Sequence, residues 1–206
     1  MQLPQSLLIH EPSELIGPDT FKPLPSFSIT HDQRKLELYS LVPPSTQRSI
    51  IEHYLKVVSP EYTLLSTEQE SALVAYENPL RWSSSNGNNP DAFAISIVFA
   101  ISTTLVTRDL DPHLSTISMR CVEDMHEVSQ RAVSSGDPIE LTRWTCTALC
   151  ALALCERISP VSGQIWDLLG RAASTMEHLR EGYQLRRLSL DGDFRRLERS
   201  LLKLER

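Results

Sequence analysis

The sequence predicts an all-α fold, an irregular helical bundle of about six to seven helices behind a Pro-rich N-terminal arm. Three observations carry this. From residue 46 onward, apolar residues recur at helical spacing. The pairs Asp111–Pro112, Asp137–Pro138 and Ser159–Pro160 each set a capping residue before a proline. The cap oxygen accepts an orphan amide hydrogen, and proline at the first helical position has no amide to satisfy. No segment shows the turn-bounded alternation of a half-buried strand.

Residues 1–45 form the arm. Seven of the thirteen prolines fall there, in runs such as "KPLPS" and "VPPS", and no apolar period is sustained. Residues 46–206 form the helical domain. "TQRSIIEHYLKVVSP" places Ile50, Ile51, Tyr54, Leu55 and Val58 on one side and stops at Pro60. "TEQE" reads as a capping box opening a short helix near 67–76. "NPLRWSSSNGNNPD" is a polar loop. Helices are expected near 91–107, 112–134, 138–156 and 160–181, with a last one over 192–205. "AISIVFAIS" contains β-branched residues that favour strands, but its length and helical neighbours assign it to a buried helix.

A chain of 206 residues, 41% hydrophobic and 22% charged, is long enough to bury a real core and is too apolar to be disordered. Its net charge of −6 argues against nucleic-acid binding, which relies on clustered Lys and Arg. The charge is uneven. Residues 180–206 hold eight basic and five acidic side chains, leaving twelve and twenty-one for the rest. Such a basic end is expected to be a solvated helix face. The longest apolar run, residues 92–106, is too short to span a bilayer, which takes roughly 20 residues. No cleavable leader is evident ahead of the first basic residue, Lys22. The expected setting is intracellular and reducing, with free thiols.

"CTALCALALC" at 146–155 holds three of the four cysteines. Cys146 and Cys150 share a helix face, but Cys155 lies about 900° of winding beyond Cys146, on the opposite side. The thiols cannot converge on a tetrahedral metal, which leaves no metal site and no cofactor to predict. Cys and Ala are among the most buried residue types, so the stretch reads as a central helix buried nearly all round. "EDMH" at 123–126 has the Glu-x-x-His spacing of di-iron bundles, but only once. The apolar stripe of that helix runs through Leu114, Ile117, Cys121, Met125 and Val128, leaving Glu123 and His126 on a solvated face. Capping explains Asp111 in "DLDPH", and His113 beside it has no evident duty. No phosphate-cradling Gly-rich loop and no G-x-S-x-G nucleophile elbow occurs.

The stretch 138–181 resembles the fungal-specific transcription factor domain, the middle homology region of fungal zinc-cluster regulators. That family shows an Ala- and Leu-rich helix, a loop, and a helix of the pattern G-x-x-W-x-x-x-G-x-A-x-x-x-A or -M. Gly163, Trp166, Gly170, Ala172 and Met176 match it. "STQRSIIEHYLKVVSPEYTLLS" and "FRRLERSLLKLER" resemble flanking helices of the family. The sequence departs from the family in two ways. The six-cysteine DNA-binding module is absent, and the family region usually extends further. A fragment and a stand-alone protein both remain open.

The resemblance implies a regulatory domain of a transcription regulator, responsive to a ligand or partner, in the nucleus or cytoplasm, with no DNA binding of its own and no membrane. In the family, such regions are associated with small-molecule sensing and dimer contacts. The ligand-binding candidates are Trp144, Trp166, Met125, Met176 and His113, with Trp166 expected to fill volume between helices. Small residues at 170, 172 and 173 are expected to permit close helix contact. Phe194, Leu197, Leu201 and Leu204 form a stripe on the last helix that, if uncovered, needs a homodimer or protein partner. An enzymatic alternative is a helical pocket recruited to cyclise or rearrange a hydrophobic metabolite. Such chemistry needs positioning and desolvation more than a motif, and it would use the histidines and Asp111.

Overall fold

The computed structural model describes residues 42–75, 90–107, 112–130 and 137–206. Among them are seven α-helices and no strand, as the sequence predicts. Helix α1 is Pro44–His53 and continues into a π-helical turn, Tyr54–Val58. Then follow α2 (Thr67–Val74), α3 (Pro90–Thr107), α4 (Pro112–Gln130), α5 (Pro138–Ile158), α6 (Ile165–Leu185) and α7 (Gly192–Leu204).

Local chemistry sets most of the helix starts, in three cases differently from expectation. Helix α1 begins within "VPPS", at Pro44, where proline suits the first helical position. The box on α2 is shifted by one residue. Ser66 Oγ accepts from the Gln69 amide at 3.2 Å, and Gln69 Oε1 accepts from the Ser66 amide at 3.0 Å. That frees Glu70 for other contacts. The third difference is at Ser159–Pro160, which starts no helix. Ser159 ends α5, and α6 begins at Ile165. Glu156 is the reason: its Oε1 accepts from the amides of Val161, Ser162 and Gly163 at 3.1, 2.9 and 2.6 Å. The chain curls around this carboxylate before a new helix can start. Burial tends to raise the Glu156 pKa, but these amides hold it below its ordinary value. Gly163 sits at φ 68°, where a side chain would be strained. Asp137 caps α5 as expected, accepting from the Ile139 amide at 3.0 Å.

Helix α5 is the hub, packing against α3, α4, α6 and α7. Every residue from Cys146 to Cys155 is buried. The ambiguous apolar run is indeed helical, and Phe93–Thr103 of α3 is likewise buried on all sides. The Thr103 and Thr104 hydroxyls bond to carbonyls one turn back, whereas the buried Ser102 Oγ has no hydrogen-bond partner among the described residues. Thr104 Oγ1 donates to Ala100 O at 2.6 Å and lies 3.0 Å from Ser118 Oγ on α4. In α4, Ile117, Cys121 and Met125 are buried along the expected stripe. Of the small residues on α6, Ala172 is fully buried and its carbonyl accepts from Cys146 of α5, whereas Gly170 has open space beside it.

The apolar stripe of α7 is already covered within the chain, which corrects the expectation of an outside partner there. Phe194, Leu197, Leu201 and Leu204 are buried, with α7 packed on α5 and α6. Polar contacts hold it along its length. Thr63 Oγ1 donates to Arg196 O at 3.0 Å, and Lys203 Nζ donates to Glu61 O at 2.7 Å. Arg157 of α5 reaches the carbonyls of Lys203 and Leu204 at 3.3 and 3.4 Å, complementing the negative end of the helix. No described helix is long and apolar enough to cross a membrane.

Candidate functional site

The densest polar constellation in the described structure joins the N-terminal half of α5 to the α6–α7 connection. Asp191 caps α7, with Oδ1 accepting from the Phe194 amide at 2.7 Å. Its other oxygen, Oδ2, accepts from Tyr183 Oη at 2.7 Å and from Arg143 Nη2 at 2.6 Å. Arg143 also donates to the Tyr183 hydroxyl. The Tyr183 ring meets Phe194 edge-on, with centroids 5.6 Å apart. One carboxylate thus starts α7 and ties it to α5 and α6.

The helical period explains this convergence. Ala172, Met176, Leu179 and Tyr183 form the buried face of α6, and Tyr183 is the last of them. Its hydroxyl therefore emerges where the helix ends and meets the next cap. Burial pushes the Tyr183 hydroxyl up to about 12, and its bond to Asp191 reinforces the shift. For Asp191, burial works upward, but the Phe194 amide, Tyr183 and Arg143 together hold the carboxyl below its ordinary value. Burial would lower the Arg143 pKa, yet the bond to Asp191 raises it. At neutral pH the clamp is therefore an arginine cation, a neutral phenol and a carboxylate.

A second polar seam lies across α2 and α7. Glu70 accepts from Ser59 Oγ at 2.6 Å and from Arg196 Nη2 at 2.6 Å, and Arg196 Nη1 reaches Thr67 Oγ1 at 2.6 Å. Both partners of the Glu70–Arg196 pair are mostly buried. Tyr54, fully buried in the π-helical turn, is held protonated by burial, reinforced by Glu70.

The five ligand candidates from the sequence do not gather into one site. Trp144 is half-buried next to Arg143 and stacks on Phe93 of α3, with centroids 6.2 Å apart. Met125 and Met176 are buried in the core, on α4 and α6. Trp166 is 75% exposed at the start of α6 and fills no interhelical volume, because the turn around Glu156 leaves it on the surface. His113 is in the first turn of α4, and its side chain lies outside the described residues, as does Asp111. Glu123 is exposed and paired with Arg120. The clamp residues Arg143, Tyr183 and Asp191 carried sequence signals that can be read only together: a tyrosine closing an apolar stripe, and an Asp-Gly-Asp helix start six residues after α6 ends at Leu185.

All four cysteines are buried free thiols. Cys146 donates to Ala172 O at 3.7 Å. A hydrogen bond with Cys146, and then burial, drive the Cys150 thiol well up, and burial pushes Cys155 to about 12. They are core residues, as the spacing predicts. Among the described residues no group of three His, Cys, Asp or Glu side chains is placed to hold a metal. No family model, curated protein or solved structure matches the chain.

Proposed function

We propose that the chain is a regulatory helical domain, related to the regulatory region of fungal zinc-cluster transcription regulators, that responds to a ligand or protein partner by a change at the α6–α7 joint. The supporting observation is the Arg143–Tyr183–Asp191 clamp. A buried apolar contact resists change in proportion to its volume. A clamp of three polar groups sharing one carboxylate oxygen can instead exchange those bonds for bonds to an effector. The effector shifts the equilibrium only by its differential affinity for the two arrangements. An anionic group offered to Arg143, or a donor offered to Asp191, would have that preference. Trp166, exposed in the first turn of α6 just after the turn held by Glu156, supplies an aromatic contact of the kind that dominates protein interfaces.

The test tethers the chain to an unrelated DNA-binding module upstream of a reporter in yeast. The regulatory reading expects output to differ from that of the module alone. Tyr183→Phe, which loosens the clamp but keeps the ring packing, should alter that output at equal protein abundance. Output identical to the module alone, for both the parent chain and Tyr183→Phe, contradicts the reading.

A further inference from the structure

The α6–α7 connection reads "LRRLSL" over 185–190. Arg186 and Arg187 stand three and two residues before Ser189, and an apolar residue, Leu190, follows it. We propose that Ser189 is a phosphorylation site for a basophilic serine kinase, the enzyme class that pairs arginines ahead of the serine with its own carboxylates and takes the following apolar side chain into a pocket. Planar, always-charged guanidinium groups suit that pairing. The assignment stands apart from the regulatory reading above.

The structure adds accessibility to the pattern. Leu185, Arg186, Arg187, Leu188 and Ser189 are all exposed, with Leu185 at 85%. Among the described residues Arg186 pairs with Asp137, at 2.8 Å, and both side chains are about half exposed, so the pair is easily released. The helix end is closed by two bonds, Arg187 N to Gln184 O at 3.0 Å and Leu188 N to Tyr183 O at 2.9 Å. This closure puts Arg187 at φ 53°, a position that favours glycine. A kinase lifting the segment into an extended form relieves that strain, while it breaks those two bonds and the Arg186–Asp137 pair and withdraws the half-buried Leu190. Ser200 shows the contrast. It follows Arg195, Arg196 and Arg199 but is buried on α7, its hydroxyl donating to Arg196 O at 3.1 Å.

The reaction is a phosphoryl transfer. Ser189 Oγ attacks the γ-phosphorus of ATP, and the Oγ–P bond forms as the bond to the β,γ-bridging oxygen breaks. ADP leaves, and the serine proton passes to a carboxylate of the kinase. The product carries about two negative charges at neutral pH, two residues before Asp191. Modification therefore acts next to the clamp.

The experiment incubates the purified full chain with ATP and the catalytic subunit of the cyclic-AMP-dependent protein kinase, then maps phosphate by tandem mass spectrometry. Phosphate should appear on Ser189 and vanish in Ser189→Ala. Arg187→Gly is the sharper variant, since glycine accepts the backbone conformation while the guanidinium is lost. It should slow incorporation by about tenfold or more without lowering the melting temperature. Three results would overturn the proposal. One is phosphate on other residues only. Another is an unchanged rate in Arg187→Gly. The third is no incorporation into the folded chain while a peptide spanning 184–193 is phosphorylated.

Discussion

The middle of α5 and its N-terminal half belong to one helix yet are held by different physics. From Cys146 to Cys155 every side chain is buried among α3, α4, α6 and α7, and all but Thr147 are apolar or thiol. That region is fixed by volume. Small Ala and Cys side chains let neighbouring helices approach, and Leu149 and Leu154 fill what remains. Three residues earlier, at Arg143, the helix is fixed by charge and hydrogen-bond geometry, through one carboxylate on a different element. Volume constraints are graded and tolerant of many substitutions. A polar clamp is directional instead, because removing one member leaves the remaining pair bonded but each one partner short.

The contrast predicts a ranking. Leu149→Ala in the hub, at 1% exposure, should destabilise by about 2–5 kcal/mol, read as a lower denaturant midpoint with a single transition. A cost near zero would mean that the hub repacks freely. Arg143→Ala should cost less, about 1–3 kcal/mol, because Asp191 is partly exposed and water can replace the lost donor there. Arg143→Lys should not restore it fully, since a single ammonium cannot reproduce the planar fork.

The smallest effect concerns pH. The Asp191 carboxyl is depressed in the folded chain, so its contribution is fully present above the unfolded value, about 3.9, and is lost as pH falls through the folded value. The stability gap between the parent chain and Asp191→Asn should therefore be constant from neutral pH down to about 4 and narrow below it. A gap that stays open to the acid limit would show that Asp191 acts through packing or capping alone.

The two regions also differed in how much of them the sequence disclosed. The hub was legible because burial on all sides needs only composition and helical period, both local properties of "WTCTALCALALC". The expected stripe on α4 and the cap at Asp137 were legible for the same reason. The clamp was not, since Arg143 and Asp191 are 48 residues apart and meet only once α6 has the length that brings Tyr183 between them. Ser159–Pro160 misled because a capping pair is a local preference, and the Glu156 carboxylate, which competes for the same amides, wins by supplying a full negative charge. Trp166 misled in a related way. The sequence pattern marks the residue, but the turn before it decides which way it faces. The stripe on α7 was read correctly as apolar. What a sequence cannot tell is whether the surface covering such a stripe comes from the same chain.

Native-state hydrogen exchange followed by mass spectrometry, on the parent chain and Arg143→Ala, tests the division between hub and clamp most directly. The division predicts that exchange rises in peptides covering the end of α6 and the first turn of α7, near 183–195, while 146–155 keeps its protection. Equal loss of protection in both regions would contradict it, and would make the clamp one more part of a single cooperative core.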